Sequence, residues 1–247
     1  MHIDQWVGKV RDRGTGQGQY YQGEGQSDSP YFKMTKFDPV WHQYMQAHET
    51  QVFSLINFAF FETYRSTTQL AFPVKLNSRL ITGGSSPFGP SNNAADERYR
   101  FVKLKALIWD ENTVSIVDYD PESGSPLNSP TVENAIVTYR YSDHPAKILA
   151  QNPPNKYQLI GTLDKDGLPG DEWMLILTVN RATLDEGANL LRQLGARGEI
   201  VTADGGSSTL IMNSRTGVLI APQPVNMVEN PNAWKLPHYL GFRRKAE

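Results

Sequence analysis

The chain has 247 residues, with 24 Lys and Arg side chains against 26 Asp and Glu, so its formal net charge is −2. A near-neutral chain without a long basic run lacks the electrostatic footprint of a nucleic-acid-binding protein. Because the sequence contains no cysteine, disulfides, thiolate metal sites and a cysteine nucleophile are excluded.

Hydrophobic runs in this sequence are too short to predict a membrane-spanning helix. The run at 174–179 is one of the longest, far below the roughly 20 residues that cross a bilayer. Residues 1–14 also lack the apolar core of a signal peptide. The residues alone leave two compartments open: the cytoplasm, or an extracytoplasmic location reached with a signal peptide that is absent from this chain.

The first quarter of the chain predicts an arm, a helix and a strand. Residues 14–30 are rich in Gly, Gln and Ser, and they indicate a flexible arm that we assign to residues 1–30. A helix is predicted through His48, with Asp38 as its cap and Pro39 at its first position. The almost wholly apolar run at 52–61, which contains Asn57, predicts a buried strand.

Strand and turn patterns dominate the middle of the chain. Residues 72–84 and 98–109 predict strands, and the long polar loop at 85–97 separates them. A second polar stretch at 118–130 precedes another predicted strand at 134–141.

The clearest local signals come after residue 155. Runs at 158–167 and 172–179 predict a pair of strands resembling a hairpin. Thr183 and Glu186 form the pattern of a capping box, and the helix that they begin is predicted to end at Gly195.

The C-terminal part adds a glycine-rich turn and a last strand. Apolar strand ends flank the turn within 199–213, and residues 235–242 predict the final strand. Several strands for each helix, in irregular order, are typical of an α+β fold. We therefore predict a single α+β domain over 31–247, with a mixed, largely antiparallel sheet and a few helices.

The strongest chemical signal is the strand end and turn that begin at Asp204. Gly205 and Gly206 follow this acid and allow the backbone to approach a ligand closely. Three hydroxyl side chains come next, on Ser207, Ser208 and Thr209. Hydroxyls beside free backbone N–H groups suit a nest for phosphate oxygens, and a polar hairpin turn fits the same residues.

Together with two other motifs, this turn resembles the phosphodiester glycosidase family. A family strand that ends in Asn, Ala or Gly, Gly, Phe, Phe is similar to residues 57–61, Asn-Phe-Ala-Phe-Phe. The family's Gly-Arg pair after a central strand is similar to Asn180-Arg181, and its most diagnostic stretch is similar to 183–213. The resemblance covers about residues 37–242 and is weakest over about 87–155.

The sequence departs from the family pattern at three places. Ser207 stands where a third glycine is common, and Lys156, Tyr157 and Gln158 occupy the neighbourhood of a usual arginine. Lys235 stands where a C-terminal arginine is often found. Because lysine cannot bind phosphate with a bidentate fork, these changes bear on the phosphate half of the substrate more than on the fold.

The resemblance implies a hydrolase that cleaves a sugar-1-phosphodiester, or a related glycosidic bond, on a glycan or glycopolymer. The alternative is a non-catalytic glycan-binding or exopolysaccharide-assembly protein on the same fold. The resemblance to the family also implies a carbohydrate or sugar phosphate as the partner. It further implies an extracytoplasmic protein, secreted or periplasmic, with the cytoplasm as the alternative.

Asp204 is our first choice as the catalytic carboxylate. Glycosyl transfer to water normally uses two carboxyl groups, but a phosphate leaving group needs little protonation, so one well-placed carboxylate suffices. Gly205, Gly206 and the three hydroxyls that follow would bind substrate or phosphate, together with Lys235.

Three further residues are candidates for catalysis, each with a structural alternative. Asn57 must satisfy its amide within an apolar strand, through a neighbouring loop or through substrate. Glu62 would act as an acid or base, or would be an exposed strand-end carboxylate. Arg181 would clamp a phosphate or a sugar carboxylate, or would pair with Asp185 or Glu186.

No cofactor and no metal ligand set is predicted. The sequence has no HExxH motif or similar histidine pair. Residues 163–173 fail as an EF-hand calcium loop because Leu168 and Pro169 stand where an acid or Asn and a Gly are required. A divalent ion held by Asp204 and loop carbonyls is left open, with no specific support.

Overall fold

The protein is described from a computed structural model. It describes residues 2–11, 19–20, 30–48, 51–62, 66–86, 102–167, 171, 173–204, 211–213, 219–220 and 235–244. By contacts between Cα atoms, the chain divides into two compact units. Unit 1 contains residues 1–70 and 207–247, and unit 2 contains residues 71–206.

Strands and a few helices follow one another along the described part of the chain. Up to residue 70 they are β1 (His2–Val7), β2 (Val10–Arg11), β3 (Gln19–Tyr20), β4 (Tyr31–Lys33), β5 (Thr35–Lys36), α1 (Phe37–His48), β6 (Val52–Asn57) and β7 (Thr67–Gln69). Unit 2 continues with β8 (Val74–Leu76), β9 (Arg79–Thr82), β10 (Leu104–Trp109), β11 (Val114–Asp118), β12 (Asn134–Tyr139), α2 (Pro145–Ile148), β13 (Asn155–Leu163), β14 (Trp173–Ala182), α3 (Leu184–Gln193) and β15 (Arg197–Ala203). The chain then returns to unit 1 with β16 (Ile211–Asn213), β17 (Leu219–Ile220), β18 (Lys235–Leu236) and β19 (His238–Arg243).

Unit 1 is built on a five-stranded antiparallel sheet in the order β1-β19-β6-β16-β17. Helix α1 packs on one face, where Phe37 and Tyr44 share a core with Leu55 and Tyr239. Gly241 allows this close packing, because a Cβ atom there would lie 2.3 Å from Cζ of Tyr44. The absence of a side chain on β19 therefore sets how closely α1 approaches the sheet.

The N-terminal segment of unit 1 is paired with the sheet. Residues 2–7, at the start of the expected arm, form β1 and pair with β19 from His2–Arg243 to Val7–His238. Asp4 anchors this edge, since Arg243 Nε and the Tyr44 hydroxyl donate to its Oδ2 at 2.7 and 2.8 Å. The rest of the expected arm, apart from residues 8–11, 19–20 and 30, lies outside the described residues.

Unit 2 contains two antiparallel sheets. A five-stranded sheet has the order β11-β10-β12-β8-β9, and a three-stranded sheet has the order β14-β13-β15. Helix α3 covers one face of the second sheet through Leu184, Ala188 and Leu191, which pack on Leu159. Gly187 makes this contact close, since a Cβ atom there would lie 2.8 Å from Cδ1 of Leu159.

The predicted α+β class is confirmed, and every strand pair among the described residues is antiparallel. The capping box is confirmed as well. The Thr183 hydroxyl accepts the Glu186 N–H at 3.1 Å, while the Glu186 carboxylate accepts the Thr183 N–H at 2.7 Å. Gly195 follows the helix with a φ of +104°, as expected for a glycine stop.

Several predicted boundaries were wrong. Helix α1 begins at Phe37, which places Asp38 in the first turn and not at the cap. The strand expected over 52–61 ends at Asn57. The run at 72–84 is two strands, because the chain turns at Asn77 and Ser78 with φ of +48° and +63°.

No helix in the described ranges is long and apolar enough to cross a membrane.

Candidate functional site

One end of the three-stranded sheet of unit 2 brings together several polar residues from distant parts of the sequence. Because β13 is antiparallel to both neighbours, its first residues lie beside the last residues of β14 and β15. Gln158 of β13 is paired with Thr178 on one side and with Ala203 on the other. Asp204 comes directly after Ala203, so the predicted catalytic carboxylate leaves the sheet at this same end. We call this region the polar sheet end.

The polar sheet end contains a β-bulge that sets the position of Arg181. Asn155 pairs with Ala182 and Tyr157 with Val179, so two residues of β14, Asn180 and Arg181, oppose a single residue of β13. Arg181 has a φ of +59°, a conformation that non-glycine residues adopt at a cost. Val179 and Ala182 both pack on the α3 core, whereas the Arg181 side chain is exposed. The extra residue thus takes the guanidinium out of the core, a recurrent use of bulges near functional sites.

The acids that could have held Arg181 as a structural ion pair bind other groups. Lys147 Nζ pairs with Asp185, and Asn152 donates to the same carboxylate at 2.9 Å. Glu186 bonds to Thr183 in the capping box. Within the described part of the chain, Arg181 makes no ion pair, which leaves its charge available to an anionic ligand.

Several buried polar atoms at the polar sheet end have no hydrogen-bond partner among the described residues. They include Oε1 and Nε2 of Gln158, whose side chain is fully buried, Oγ1 of its cross-strand partner Thr178, and Oγ1 of Thr202 in β15. A buried polar group left without a partner costs about 1–3 kcal/mol. Such groups in a folded protein call for an explanation, such as an internal water or a functional role.

Asp204 and Lys156 bring opposite charges to the polar sheet end. Asp204 is half-buried, and its Oδ2 is shielded from solvent. Lys156, opposite the bulge and two residues before Gln158, is only 9% exposed, and this burial lowers the pKa of its amine. Ionisable groups with burial-shifted pKa values occur more often at functional sites than elsewhere.

Three of the predicted site residues that the structure describes lie in unit 1. Asn57 is the last residue of β6, is 1% exposed and pairs with Tyr239 of β19. Glu62 is exposed, and its backbone N–H donates to the carbonyl of Gln69 at 3.1 Å. Lys235 is half-buried in β18. The remaining predicted binding residues lie outside the described residues: Gly205, Gly206, Ser207, Ser208 and Thr209.

The buried histidines of the two units have structural roles. His144 Nδ1 accepts the N–H of Ala146 at 3.1 Å and caps α2, and burial lowers the His144 pKa to about 4. In unit 1, His238 shares a hydrogen bond with Gln5 at 3.0 Å, and burial lowers its pKa to about 3. Over the described ranges, no group of three His, Cys, Asp or Glu residues could hold a metal ion.

A cavity of about 150 Å³ lies elsewhere in unit 2, between the ends of β10 and β11 and the chain before β12. Of its two acids, Asp110 and Glu133, Asp110 accepts the N–H groups of Asn112 and Thr113 at 2.7 and 2.8 Å, which closes the turn between these strands. The carboxylate is thereby committed to a local turn, and this cavity offers a weaker candidate site than the polar sheet end.

The sequence did not single out Thr178, and it indicated Lys156 and Gln158 only as departures from the family pattern. In the segment Lys156–Gly161, polar and apolar residues alternate at first, a pattern that is typical of a strand with its polar residues facing solvent. The signal that could have identified them is their position opposite the ends of two other strands, which requires the pairing register to be known.

No protein-family model matches the sequence, and no curated protein sequence matches it significantly. Among solved structures, the chain is similar to the catalytic domain of zebrafish N-acetylglucosamine-1-phosphodiester alpha-N-acetylglucosaminidase, auto-inhibited by its pro-peptide. The TM-score is 0.49 and the identity 13%, covering 99% of this chain and 83% of that one. A hypothetical protein from Synechocystis is similar with a TM-score of 0.44 and 14% identity, covering 98% of this chain and 57% of that one. This is a distant structural likeness, and the function has to be argued from the residues themselves.

Proposed function

We propose that this protein is a hydrolase that cleaves a glycosidic bond, with a sugar-1-phosphodiester as the preferred substrate and Asp204 as the catalytic carboxylate. The observation that carries the proposal is the polar sheet end. There a half-buried acid follows β15 at the same end of the sheet as the β14 bulge that exposes Arg181, while Lys156 lies in the strand between them. The sequence resemblance described above supports the same chemistry.

The proposed mechanism needs one carboxylate and a cationic surface. As the bond between the anomeric carbon and the phosphate oxygen breaks, positive charge develops on the sugar, and a carboxylate stabilises it or activates the attacking water. The phosphate departs as an anion and needs little protonation. Arg181 and Lys156 would bind this anion, and the amides and hydroxyls of residues 205–209 would add hydrogen bonds.

Three further residues are proposed to contribute on the basis of the sequence alone. Asn57 is proposed to bind substrate through its amide, Glu62 to assist proton transfer, and Lys235 to bind phosphate. Their contributions can be tested kinetically: Asn57→Ala, Glu62→Gln and Lys235→Met should each lower kcat/KM. A variant that leaves this ratio unchanged removes that residue from the site.

Asp204→Asn is the decisive variant for the proposed function. We expect kcat for an α-linked sugar-1-phosphodiester to fall by roughly 10²–10⁴-fold, because a neutral amide neither stabilises positive charge nor accepts a proton from water. Released sugar is measured by a coupled assay, with folding checked by circular dichroism. Glu111→Gln, which neutralises an exposed acid in a turn, is the matched control and should retain full activity.

The alternative outcomes of this assay are distinct. Retained turnover in Asp204→Asn contradicts the catalytic assignment. Loss of wild-type turnover in EDTA places a metal ion in the mechanism. Saturable glycan binding without any turnover would favour the non-catalytic glycan-binding alternative.

A further inference from the structure

The amide of Gln158 and the hydroxyl of Thr178 form a neutral polar pair next to the proposed catalytic acid. The two residues are cross-strand partners, so their side chains lie on the same face of the sheet. On its other side Gln158 is paired with Ala203, the residue before Asp204. The pair is therefore next to the strand end that bears Asp204.

Neither side chain forms a hydrogen bond that stabilises the described part of the fold. Both polar atoms of Gln158 and the Thr178 hydroxyl are shielded from solvent, and none has a hydrogen-bond partner among the described residues. The partly buried amide of Asn152, elsewhere in unit 2, is by contrast bonded to Asp185 and to the backbone of Leu184, both at 2.9 Å. The unused hydrogen-bonding capacity is thus a local property of the polar sheet end.

The chemistry of the pair defines what it can bind. A carboxamide offers one donor group and one acceptor group side by side, and a threonine hydroxyl can act as either. Neither carries charge, so neither favours a phosphate over a neutral partner. A sugar hydroxyl or an acetamido group, which also presents a donor together with an acceptor, is the matching ligand chemistry.

We propose that Gln158 and Thr178 form a sugar-recognition subsite, which binds a hydroxyl or acetamido group of the substrate while the cationic residues bind its phosphate. This inference rests on the proposed function and adds a division of labour to it: neutral groups select the sugar, and Arg181 and Lys156 hold the anion. The enclosure of the pair then follows from its task, since a hydrogen bond to substrate discriminates best where water is excluded.

The test compares two substitutions that remove the polar atoms but keep most of the volume. Gln158→Met and Thr178→Val should each weaken the binding of a sugar 1-phosphate at least about tenfold, as measured by calorimetry. Binding of inorganic phosphate should stay unchanged in both variants. Because an unpartnered buried amide is removed, Gln158→Met should also raise Tm by about 2–4 °C.

Thr162→Val is the matched control. Thr162 is a buried threonine on the same strand as Gln158, but it pairs with Met174 at the other end of the hairpin. Its substitution should leave the affinity for both probes unchanged. Thr178→Val gives an independent measurement should Gln158→Met fail to fold.

The outcomes separate this inference from the proposed function. If wild-type protein hydrolyses the phosphodiester while both variants keep wild-type affinity for the sugar 1-phosphate, the subsite is overturned and the hydrolase stands. If both variants lose affinity for inorganic phosphate as well, the pair does not select the sugar, and the inference fails. If the wild-type protein shows sugar-specific binding that both variants lose, but no turnover, the subsite stands and the hydrolase fails. Wild-type protein that binds no sugar phosphate overturns both.

Discussion

The two sheets of unit 2 differ in whether their buried polar groups have hydrogen-bond partners. In the five-stranded sheet, Lys75 is 4% exposed and donates to the carbonyls of Leu127 and Ser129 at 2.8 and 2.6 Å. In the three-stranded sheet, the amide of the buried Gln158 and the shielded hydroxyl of the half-buried Thr178 have no such partners among the described residues. Partnered groups of the first kind stabilise the fold. Groups of the second kind destabilise it unless a water molecule or a ligand completes their hydrogen bonds, and the subsite proposed above assigns them to a ligand.

Lys105 extends the first pattern to charged groups. Its amine bonds to Asp118 at 2.6 Å and to Glu199 at 3.1 Å, and Arg140 Nε bonds to the same Glu199 at 2.8 Å. Burial acts to lower the Lys105 pKa, but the hydrogen bonds to both acids outweigh it and leave the pKa raised. The network joins β10, β11 and β15 to Arg140, the residue after β12, and so has a structural role.

Lys75→Met should have the largest effect on stability among the variants that test this comparison. It removes the buried amine that donates to two carbonyls, and we expect a loss of about 2–3 kcal/mol in the free energy of unfolding, measured with urea. Lys147→Met is the control. It removes a partly exposed pair with Asp185 and should cost less than about 1 kcal/mol. Equal costs for the two variants would contradict the distinction between buried and exposed partners.

Burial of His238 should make the stability of the protein depend on pH. Folded His238 has a pKa of about 3, against 6.5 for a free histidine, so the unfolded chain takes up the proton first as the pH falls. Stability that is complete above pH 6.5 is therefore lost progressively between pH 6.5 and about 3. At pH 5 this one histidine should account for about 2 kcal/mol.

The measurement is urea unfolding at pH 7 and pH 5, with His238→Gln removing the titrating group. The variant should lose about 2 kcal/mol less than the wild type between the two pH values. His42→Gln, at an exposed position of α1, should leave the pH dependence unchanged. An identical pH dependence in His238→Gln would show that the buried ring does not govern acid stability.

Two threonines allow a hydroxyl group that has a hydrogen-bond partner to be compared with one that has none among the described residues. The Thr138 hydroxyl donates to the carbonyl of Thr202, whereas the Thr178 hydroxyl has no partner among the described residues. Thr138→Val should lower the free energy of unfolding by about 1 kcal/mol, and Thr178→Val should leave it unchanged or raise it slightly. If Thr178→Val is the more damaging variant, the contrast between the two sheets is wrong.

The smallest expected effect concerns the strained backbone at Arg181. With a φ of +59°, this position suits glycine better than alanine. Arg181→Gly should therefore be more stable than Arg181→Ala by about 1 kcal/mol. Both variants should weaken phosphate binding equally, because both lack the guanidinium. A difference in phosphate affinity between them would mean that the backbone conformation, and not the charge, matters for the site.

The sequence predicts local structure well where the signal is local. The capping box at Thr183 and Glu186, the stop at Gly195 and the β13–β14 hairpin needed only neighbouring residues, and they are confirmed. The end of β6 could not be predicted, since the apolar run continues past Asn57 while the pairing with β19 does not.

The polar sheet end depends on information that lies outside any local window. Arg181 and Asp204 were identified from motifs, but the roles of Lys156 and Gln158 depend on which strand lies opposite. Lys75 and Lys105 illustrate the same limit: in an alternating strand each lysine is expected to face solvent, and only tertiary partners make its burial possible. Asn57 and Asp204 remain predictions as catalytic residues.

The bulge at Asn180–Arg181 also has a consequence for sequence change. In an uninterrupted strand, residues three apart point to opposite sides, yet Val179 and Ala182 both pack on the α3 core. The inserted residue reverses the side-chain alternation of β14, so that the chain enters α3 from the face that packs on the core. Deleting Arg181 would thus do more than remove a charge: it would turn Ala182 away from the core and begin α3 on the wrong side. Substitutions at this position are therefore expected to be tolerated, while a change in length is not.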